Sequence, residues 1–163
     1  MSARRFADFL AGSFEVLQRE MPSAYADMCR RISPRAVLLE VDEERVAVRF
    51  DGAGARMSAS EHAPAIRVQV GRRAILDLID AESTLLDSIL SERMVLLGSP
   101  ADLIVFHDAL MVYLQAAVRA PSFPDLLRAF RGSGDSTTTS SEPRPPFDDR
   151  ESSWPVLRRR SHG

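Results

Sequence analysis

Apolar residues recur every three or four positions at the start of the chain, which predicts two helices. The first helix has Ser2 as its N-cap and runs to about Glu20, where Pro22 ends it. Ser23 is expected to cap the second helix, which Pro34 stops. The apolar faces consist of Phe6, Leu10, Phe14, Leu17 and Met21 in the first helix, and Tyr25, Met28, Cys29 and Ile32 in the second. We expect both helices, within residues 2–33, to pack on a sheet.

From Arg35 the hydrophobic period changes to two, which predicts strands. Val37, Leu39 and Val41 alternate with other residues before the polar turn "DEER", and the alternation resumes in "VAVRF". The glycines of "DGAGA" end this hairpin, a weak third strand follows near "ARMSAS", and "APAIRVQV" predicts a fourth. These strands are expected to form an antiparallel meander with one face in water.

The segments "GRRAILDLIDAES" and "TLLDSILSE" predict two short helices. The next segment, "RMVLL", predicts a strand that is apolar on both faces and should therefore be covered on both. A helix of about five turns then starts at Ser99 or Pro100 and is apolar nearly all round, so it should touch more than one surface. A short amphipathic helix in "PSFPDLLRAFRG" ends the folded domain, residues 1–132.

The composition changes after residue 132, where "SGDSTTTSSEPRPPFDDRESS" offers almost nothing to bury. This predicts a disordered tail over residues 133–163, whose deletion should leave the thermal stability of the domain nearly unchanged. The tail ends in an apolar and basic segment that is a candidate docking peptide for a protein or an anionic surface: Trp154, Pro155, Val156, Leu157, Arg158, Arg159 and Arg160. The alternative is a solvated tail with no partner.

Composition excludes several classes of function. The chain has 163 residues and a formal net charge of −2, so it has no general attraction to nucleic acid or an anionic membrane. It contains no lysine, which excludes a Schiff-base or phosphate-loop lysine. Asp8 and Glu15 interrupt the apolar residues of the N-terminus, and no apolar run is long enough to span a membrane. With a single cysteine, Cys29, we expect a cytoplasmic protein without disulfides or a transmembrane segment.

The sequence contains no recognisable catalytic or metal-binding motif. His62, His107 and His162 are scattered over a loop, a helix and the tail, so no metal or other cofactor is expected. His107 and Asp108 are adjacent, but neighbouring helical residues point about 100° apart and should not face each other. No nucleophile elbow, phosphate loop or dinucleotide fingerprint is present. We therefore expect a protein that is not an enzyme.

The segment "RVQVGRRAILDLIDAESTLLDSILSERMVLLGSPADLIVFHDAL" resembles the sterol carrier protein type 2 superfamily of lipid-binding domains. It follows the family's order of a strand, two short helices, a strand that glycines bound in the family, and a long apolar helix, and the likeness extends over about residues 36–118. Gly98 matches the second of the bounding glycines, whereas Glu92 stands at the first, and Ala81 replaces a further family glycine. Glycine is used where φ can be positive, and neither alanine nor glutamate substitutes freely for it there.

The resemblance implies an α+β fold, in which helices cover a five-stranded antiparallel sheet and an apolar tunnel between them takes a fatty acyl chain, a sterol or a similar lipid. It implies no catalysis by the domain. The residues predicted to line the tunnel are Phe50, Met57, Leu86, Ile89, Leu90, Met94, Leu96, Phe106, Leu110, Met111 and Leu114. The alternative for each of them is ordinary core packing.

Two further hypotheses remain open. The first is an interaction module in which surplus apolar surface makes a homodimer or binds a partner, while the tail recruits the domain to an assembly. The second is a subunit that presents a lipidic intermediate to a separate catalyst. A cavity would favour lipid binding, whereas a filled core with an exposed apolar helix face would favour the interaction module.

Overall fold

The computed structural model describes residues 5–132, which form six helices and five strands. The helices are α1 (Phe6–Glu20), α2 (Pro22–Ile32), α3 (Arg72–Ile79), α4 (Leu85–Leu90), α5 (Pro100–Arg119) and α6 (Phe123–Arg131). The strands are β1 (Ala36–Val41), β2 (Glu44–Phe50), β3 (Ala55–Ser58), β4 (Ile66–Val70) and β5 (Met94–Gly98). The predicted cap at Ser2 and the predicted docking peptide 154–160 lie outside the described residues.

The junction of the first two helices differs from the prediction. Pro22 does not lie between the helices but occupies the first turn of α2, with Met21 as its N-cap, so the expected cap at Ser23 is wrong. The reason is that proline lacks an N–H group that the first turn of a helix does not use. The start of α5 agrees with the prediction, because Ser99 accepts a hydrogen bond from the Asp102 N–H and Pro100 follows it.

The sheet is mixed, with the strand order β3-β2-β1-β4-β5, which corrects the expectation of an antiparallel sheet. β1 pairs antiparallel with β2 but parallel with β4, and β4 pairs antiparallel with β5. After β3 the chain crosses back to the free side of β1 rather than adding a strand beside β3. This crossing places β1 at the centre of the sheet, where it joins two antiparallel ribbons.

β5 forms one edge of the sheet, and its outer face is exposed, so the expectation that it is covered on both faces is wrong. Met94 is buried on the face that meets the helices, whereas Val95 and Leu97 are exposed on the other face. On β4, the residues opposite them, Gln69 and Arg67, are also exposed. The predicted wet face of the sheet is therefore confirmed at β4 and extends to β5.

The core lies between the inner face of the sheet and a layer of helices in which α5 packs along α2. Aromatic side chains join α1 to α6, with the rings of Phe9 and Phe130 stacked 4.2 Å apart. By length and composition alone, α5 could also cross a bilayer, which is weak support for a membrane role. It buries Phe106, Ala109 and Ala116 in the core. Other α5 side chains, including Ile104 and Val118, remain exposed. The helix nevertheless contacts α1, α2 and α6 as well as β4 and β5, so the expectation that it touches more than one surface is confirmed.

Candidate functional site: an apolar cavity beneath the sheet

An apolar cavity of about 140 Å³ lies between the inner face of the sheet and the helices. Its lining comes from α1, α2, α3 and α5 and from four of the strands. The lining residues are Phe6, Phe9, Leu10, Phe14, Met28, Ile32, Val37, Leu39, Val48, Phe50, Val68, Val70, Ile75, Leu78, Ile79, Met94, Phe106, Ala109, Leu110, Tyr113 and Leu114. Their side chains carry no carboxylate, imidazole, amide or cationic group.

Strand register determines which residues form the floor of the cavity. Val68 lies opposite Leu39 of β1, and residues paired across strands share one face of the sheet. Neighbouring pairs on the same face extend this surface, with Val37 opposite Val48 of β2 and Val70 opposite Met94 of β5. The period-two pattern read from the sequence is thus the pattern that gives the cavity an apolar floor.

Tyr113 carries the one polar atom among the cavity-lining side chains of the described residues. Its ring makes edge contacts with Phe14 and Phe123, at centroid distances of 6.3 and 6.4 Å. Burial among these groups raises the pKa of Tyr113 to about 12, and a hydrogen bond with Ser13 opposes that rise. Within residues 5–132, no buried side-chain nitrogen or oxygen lacks a hydrogen-bond partner. The cavity therefore offers hydrocarbon contact and no free polar group.

α3 forms one wall of the cavity with three half-buried side chains, Ile75, Leu78 and Ile79. Ion pairs hold the opposite side of the helix. The Asp77 carboxylate accepts from Arg93 at 2.8 Å and pairs with Arg73 at 3.0 Å. Asp80 accepts two bonds from Arg131 of α6, both at 2.7 Å. This wall is thus held by polar contacts on its outer side as well as by the buried side chains of Ala74 and Leu76.

The structure brings five of the predicted site residues together in the cavity: Phe50, Met94, Phe106, Leu110 and Leu114. Three others, Met57, Ile89 and Leu96, are partly buried against the core but do not line the cavity. The remaining three, Leu86, Leu90 and Met111, are exposed. A cavity-lining role for these last six residues is therefore not seen in this structure.

Sequence reasoning missed the contribution of α1 and α2 to the cavity. Phe6, Leu10 and Phe14 were expected only as the face of a helix docked on a sheet, and Phe9, which also lines the cavity, was not assigned to that face. The residues themselves carried a signal, since three phenylalanines recur within nine positions of α1. Aromatic side chains are prominent in cores and interfaces alike, so this cluster marks an apolar face without showing that the face lines a cavity.

The described residues include no cluster of three or more histidine, cysteine or acidic residues that could hold a metal ion. His107 is exposed, and its Nδ1 lies 3.2 Å from the Asp108 carboxylate. The expectation that these neighbours do not meet is therefore wrong, because both side chains are free to bend toward each other in solvent. Cys29 is a free, buried thiol, and burial raises its pKa.

Two positions singled out by the family pattern have an unusual backbone. Ala81 follows α3 with φ of 57°, and Glu92 follows α4 with φ of 58°. Both lie in the left-handed region, where glycine is the residue without a steric cost. Gly98 is held for a different reason, since a Cβ there would lie 3.0 Å from the Ala65 carbonyl oxygen. The two positions at which the family pattern has glycine thus both have positive φ in this chain.

No family model matches the chain, and no curated protein matches its sequence. Solved structures do match its fold. The chain is similar to UbiJ-SCP2, a ubiquinone synthesis protein, with a TM-score of 0.52 and 15% identity over 66% of this chain and 90% of that one. It is also similar to the sterol carrier protein domain 2 of Helicoverpa armigera, with a TM-score of 0.53 and 12% identity over 73% of this chain and 97% of that one. The chain therefore has the fold of the sterol carrier protein type 2 domains.

Proposed function

We propose that the protein binds a hydrophobic ligand, an acyl chain or a similar lipid, in the cavity beneath the sheet, without catalysing a reaction on it. The observation that carries this proposal is the lining, which is apolar throughout except for the Tyr113 hydroxyl. A dry apolar cavity gains free energy from an apolar guest at roughly 0.8 kcal/mol per methylene transferred from water. The shared fold supports the proposal, because two of its members are named as a sterol carrier domain and a ubiquinone synthesis protein.

The size of the cavity sharpens the proposal. A volume of about 140 Å³ is close to the roughly 150 Å³ of an engineered apolar cavity that binds benzene. A long acyl chain or a sterol needs more room, so its binding must widen the cavity. The wall formed by α3 is the part that can yield, because Ile75, Leu78 and Ile79 are only half-buried and polar contacts at the surface hold the helix.

The absence of reactive side chains from the described lining supports a carrier rather than a catalyst. Acid–base or nucleophilic catalysis needs a titratable or nucleophilic group within hydrogen-bond reach of the reacting atoms. Tyr113 is the one candidate on the wall of the cavity, and its pKa near 12 keeps it protonated at neutral pH. Any chemistry on the bound lipid therefore belongs to another protein, which would receive or deliver the ligand.

A cavity-filling substitution tests this proposal. Ala109 lines the cavity and is buried on α5, so Ala109→Leu places three more carbon atoms in the empty space. We expect the variant to bind a fluorescent fatty acid at least tenfold more weakly, with no loss of thermal stability, because the added carbon atoms fill a cavity. Ala101→Leu, on an exposed position of the same helix, serves as the matched control and should bind as the unmodified protein does. Equal binding by all three proteins would place the ligand elsewhere and contradict the proposal.

A further inference from the structure

The two edges of the sheet are built differently. β3 has four residues, and its exposed Arg56 pairs with Asp51 at 2.8 Å. β5 has the sequence "MVLLG" and carries no charged residue, proline or other polar side chain. Proteins commonly protect a free edge with short strands, charges or proline, because an unprotected edge pairs with another strand. β3 is protected in this way and β5 is not.

Exposed apolar side chains surround this unprotected strand. Val95 and Leu97 on β5 are 39% and 51% exposed. α4, which directly precedes and contacts β5, exposes Leu86 and Leu90 by 62% and 73%. α5, which directly follows β5, exposes Ile104 by 64%. Every large apolar side chain that is exposed among the described residues lies between Leu86 and Val118. Five of these seven side chains belong to β5, to α4 or to the first turns of α5.

We propose that β5 pairs antiparallel with β5 of a second copy of this chain, which forms a continuous sheet across a twofold axis. Pairing centred on Leu96 is self-complementary. It places Val95 opposite Leu97 of the partner subunit, and the reverse contact follows by symmetry. Both side chains lie on the outer face of the sheet, where directly opposite apolar residues contact each other.

The flanking helices supply the area that the strand alone lacks. A strand of five residues spans roughly 17 Å, far too little for the roughly 800 Å² per partner of a stable interface. In an antiparallel pair, the element that precedes β5 in one copy lies near the element that follows it in the other. Leu86 and Leu90 of α4 therefore approach Ile104 of the partner subunit. One interface then covers five of the exposed apolar side chains.

Cysteine cross-linking of the full chain tests the register. In the proposed dimer Leu96 lies opposite itself with its Cα atoms about 4.5 to 5.5 Å apart, a separation that a disulfide can bridge. Leu96→Cys in a Cys29→Ala background should therefore give a covalent dimer on mild oxidation. Ser58→Cys, at the β3 edge in the same background, is the matched control and should stay monomeric on a denaturing gel. A Leu96→Cys chain that cross-links no better than this control would overturn the register.

Sedimentation equilibrium of the unmodified chain tests the association itself. We expect a dimer at micromolar concentration, and Leu97→Arg should raise its dissociation constant at least about a hundredfold, because the new charges become buried at the interface. Val118→Arg, on an exposed apolar residue at the far end of α5, should leave the constant unchanged. A monomer overturns the proposal. If the β5 amides of that monomer resist hydrogen exchange, another segment of the chain covers the edge in place of a second copy. A dimer insensitive to Leu97→Arg also overturns it.

Discussion

Ala81 and Glu92 occupy the same structural position at the ends of two successive helices. Each follows the last residue of its helix with a left-handed backbone, and its N–H reaches back to the helix, to Leu78 O at 3.3 Å and to Ile89 O at 3.0 Å. This is the position at which helices most often end in glycine. α4 thus lies between two non-glycine residues, and the side chain of each disfavours the left-handed backbone that the residue adopts.

Replacing either residue by glycine should stabilise the protein. A non-glycine residue in the left-handed region costs roughly 1 kcal/mol, so we expect Ala81→Gly and Glu92→Gly each to raise the free energy of unfolding by about that amount. Chemical denaturation with circular dichroism measures the change. Ala53→Gly, in an exposed loop without positive φ, is the control and should be neutral or slightly destabilising. A loss of stability in both helix-end variants would show that their side chains contribute more than the backbone costs.

Gly98→Ala should have the opposite effect. The added methyl group would lie 3.0 Å from the Ala65 carbonyl oxygen and 3.3 Å from a methyl carbon of Leu103, and the backbone oxygen cannot easily move. We expect a loss of about 1 to 3 kcal/mol of unfolding free energy, typical of overpacking. Gly54→Ala is the matched control, because its Cβ would meet only the Tyr25 hydroxyl, at 3.6 Å. A Gly98→Ala protein as stable as the Gly54→Ala protein would contradict the close approach.

Glu20 should make the docking of α6 dependent on pH. Its carboxylate accepts hydrogen bonds from the Ser122 hydroxyl and from the Ser122 N–H, the latter at 2.9 Å, and Arg19 lies beside it. These contacts lower the pKa of Glu20 from 4.5 to about 2. Because the pKa is lowered in the folded state, the stabilisation is complete above pH 4.5 and is lost as the pH falls toward 2.

Thermal melts across that pH range test the contribution of Glu20. Glu20→Gln should melt at a lower temperature than the unmodified protein at pH 7, and the difference should shrink between pH 4.5 and about 2. Glu15→Gln, at an exposed position of the same helix, should have little effect. A difference between the Glu20 variant and the unmodified protein that stays constant down to pH 2 would mean that its charge is not responsible.

The cavity wall and the exposed helix face should respond differently to truncation. Leu110 lines the cavity, so Leu110→Ala removes packed methyl groups and should cost about 2 to 3 kcal/mol of unfolding free energy. Val118 is 75% exposed on the same helix, and Val118→Ala should change stability by less than about 0.5 kcal/mol. Similar losses for the two variants would show that Val118 is covered in solution.

Local periodicity predicted the helices and strands of this fold but not which strands pair with each other. The alternation in β1, β2 and β4 and the capping residues Ser99 and Pro100 act over a few residues, and the structure agrees with them. The parallel pairing of β1 with β4 depends instead on the path of the chain between β3 and β4, which no periodic pattern records. The position of β5 at the edge of the sheet follows from that same path. The apolar sequence of β5 was mistaken for a sign of burial on both faces.

The site was predicted in part for a similar reason. Phe106, Leu110 and Leu114 follow one another at helical spacing, and they line the cavity together. Leu86 and Leu90 are equally apolar, but α4 is too short to bury both of its sides and leaves them in solvent. Hydrophobicity alone does not tell a cavity wall from an interface, because both are built from the same residue types.

Native mass spectrometry of the purified protein, followed by organic extraction of the bound material, tests the central claim most directly. The account predicts an apolar ligand bound at close to one molecule per chain, which organic solvent releases and which rebinds to the unmodified protein more strongly than to Ala109→Leu. A chain that purifies empty and takes up no fatty acid under conditions in which it remains folded would contradict the claim.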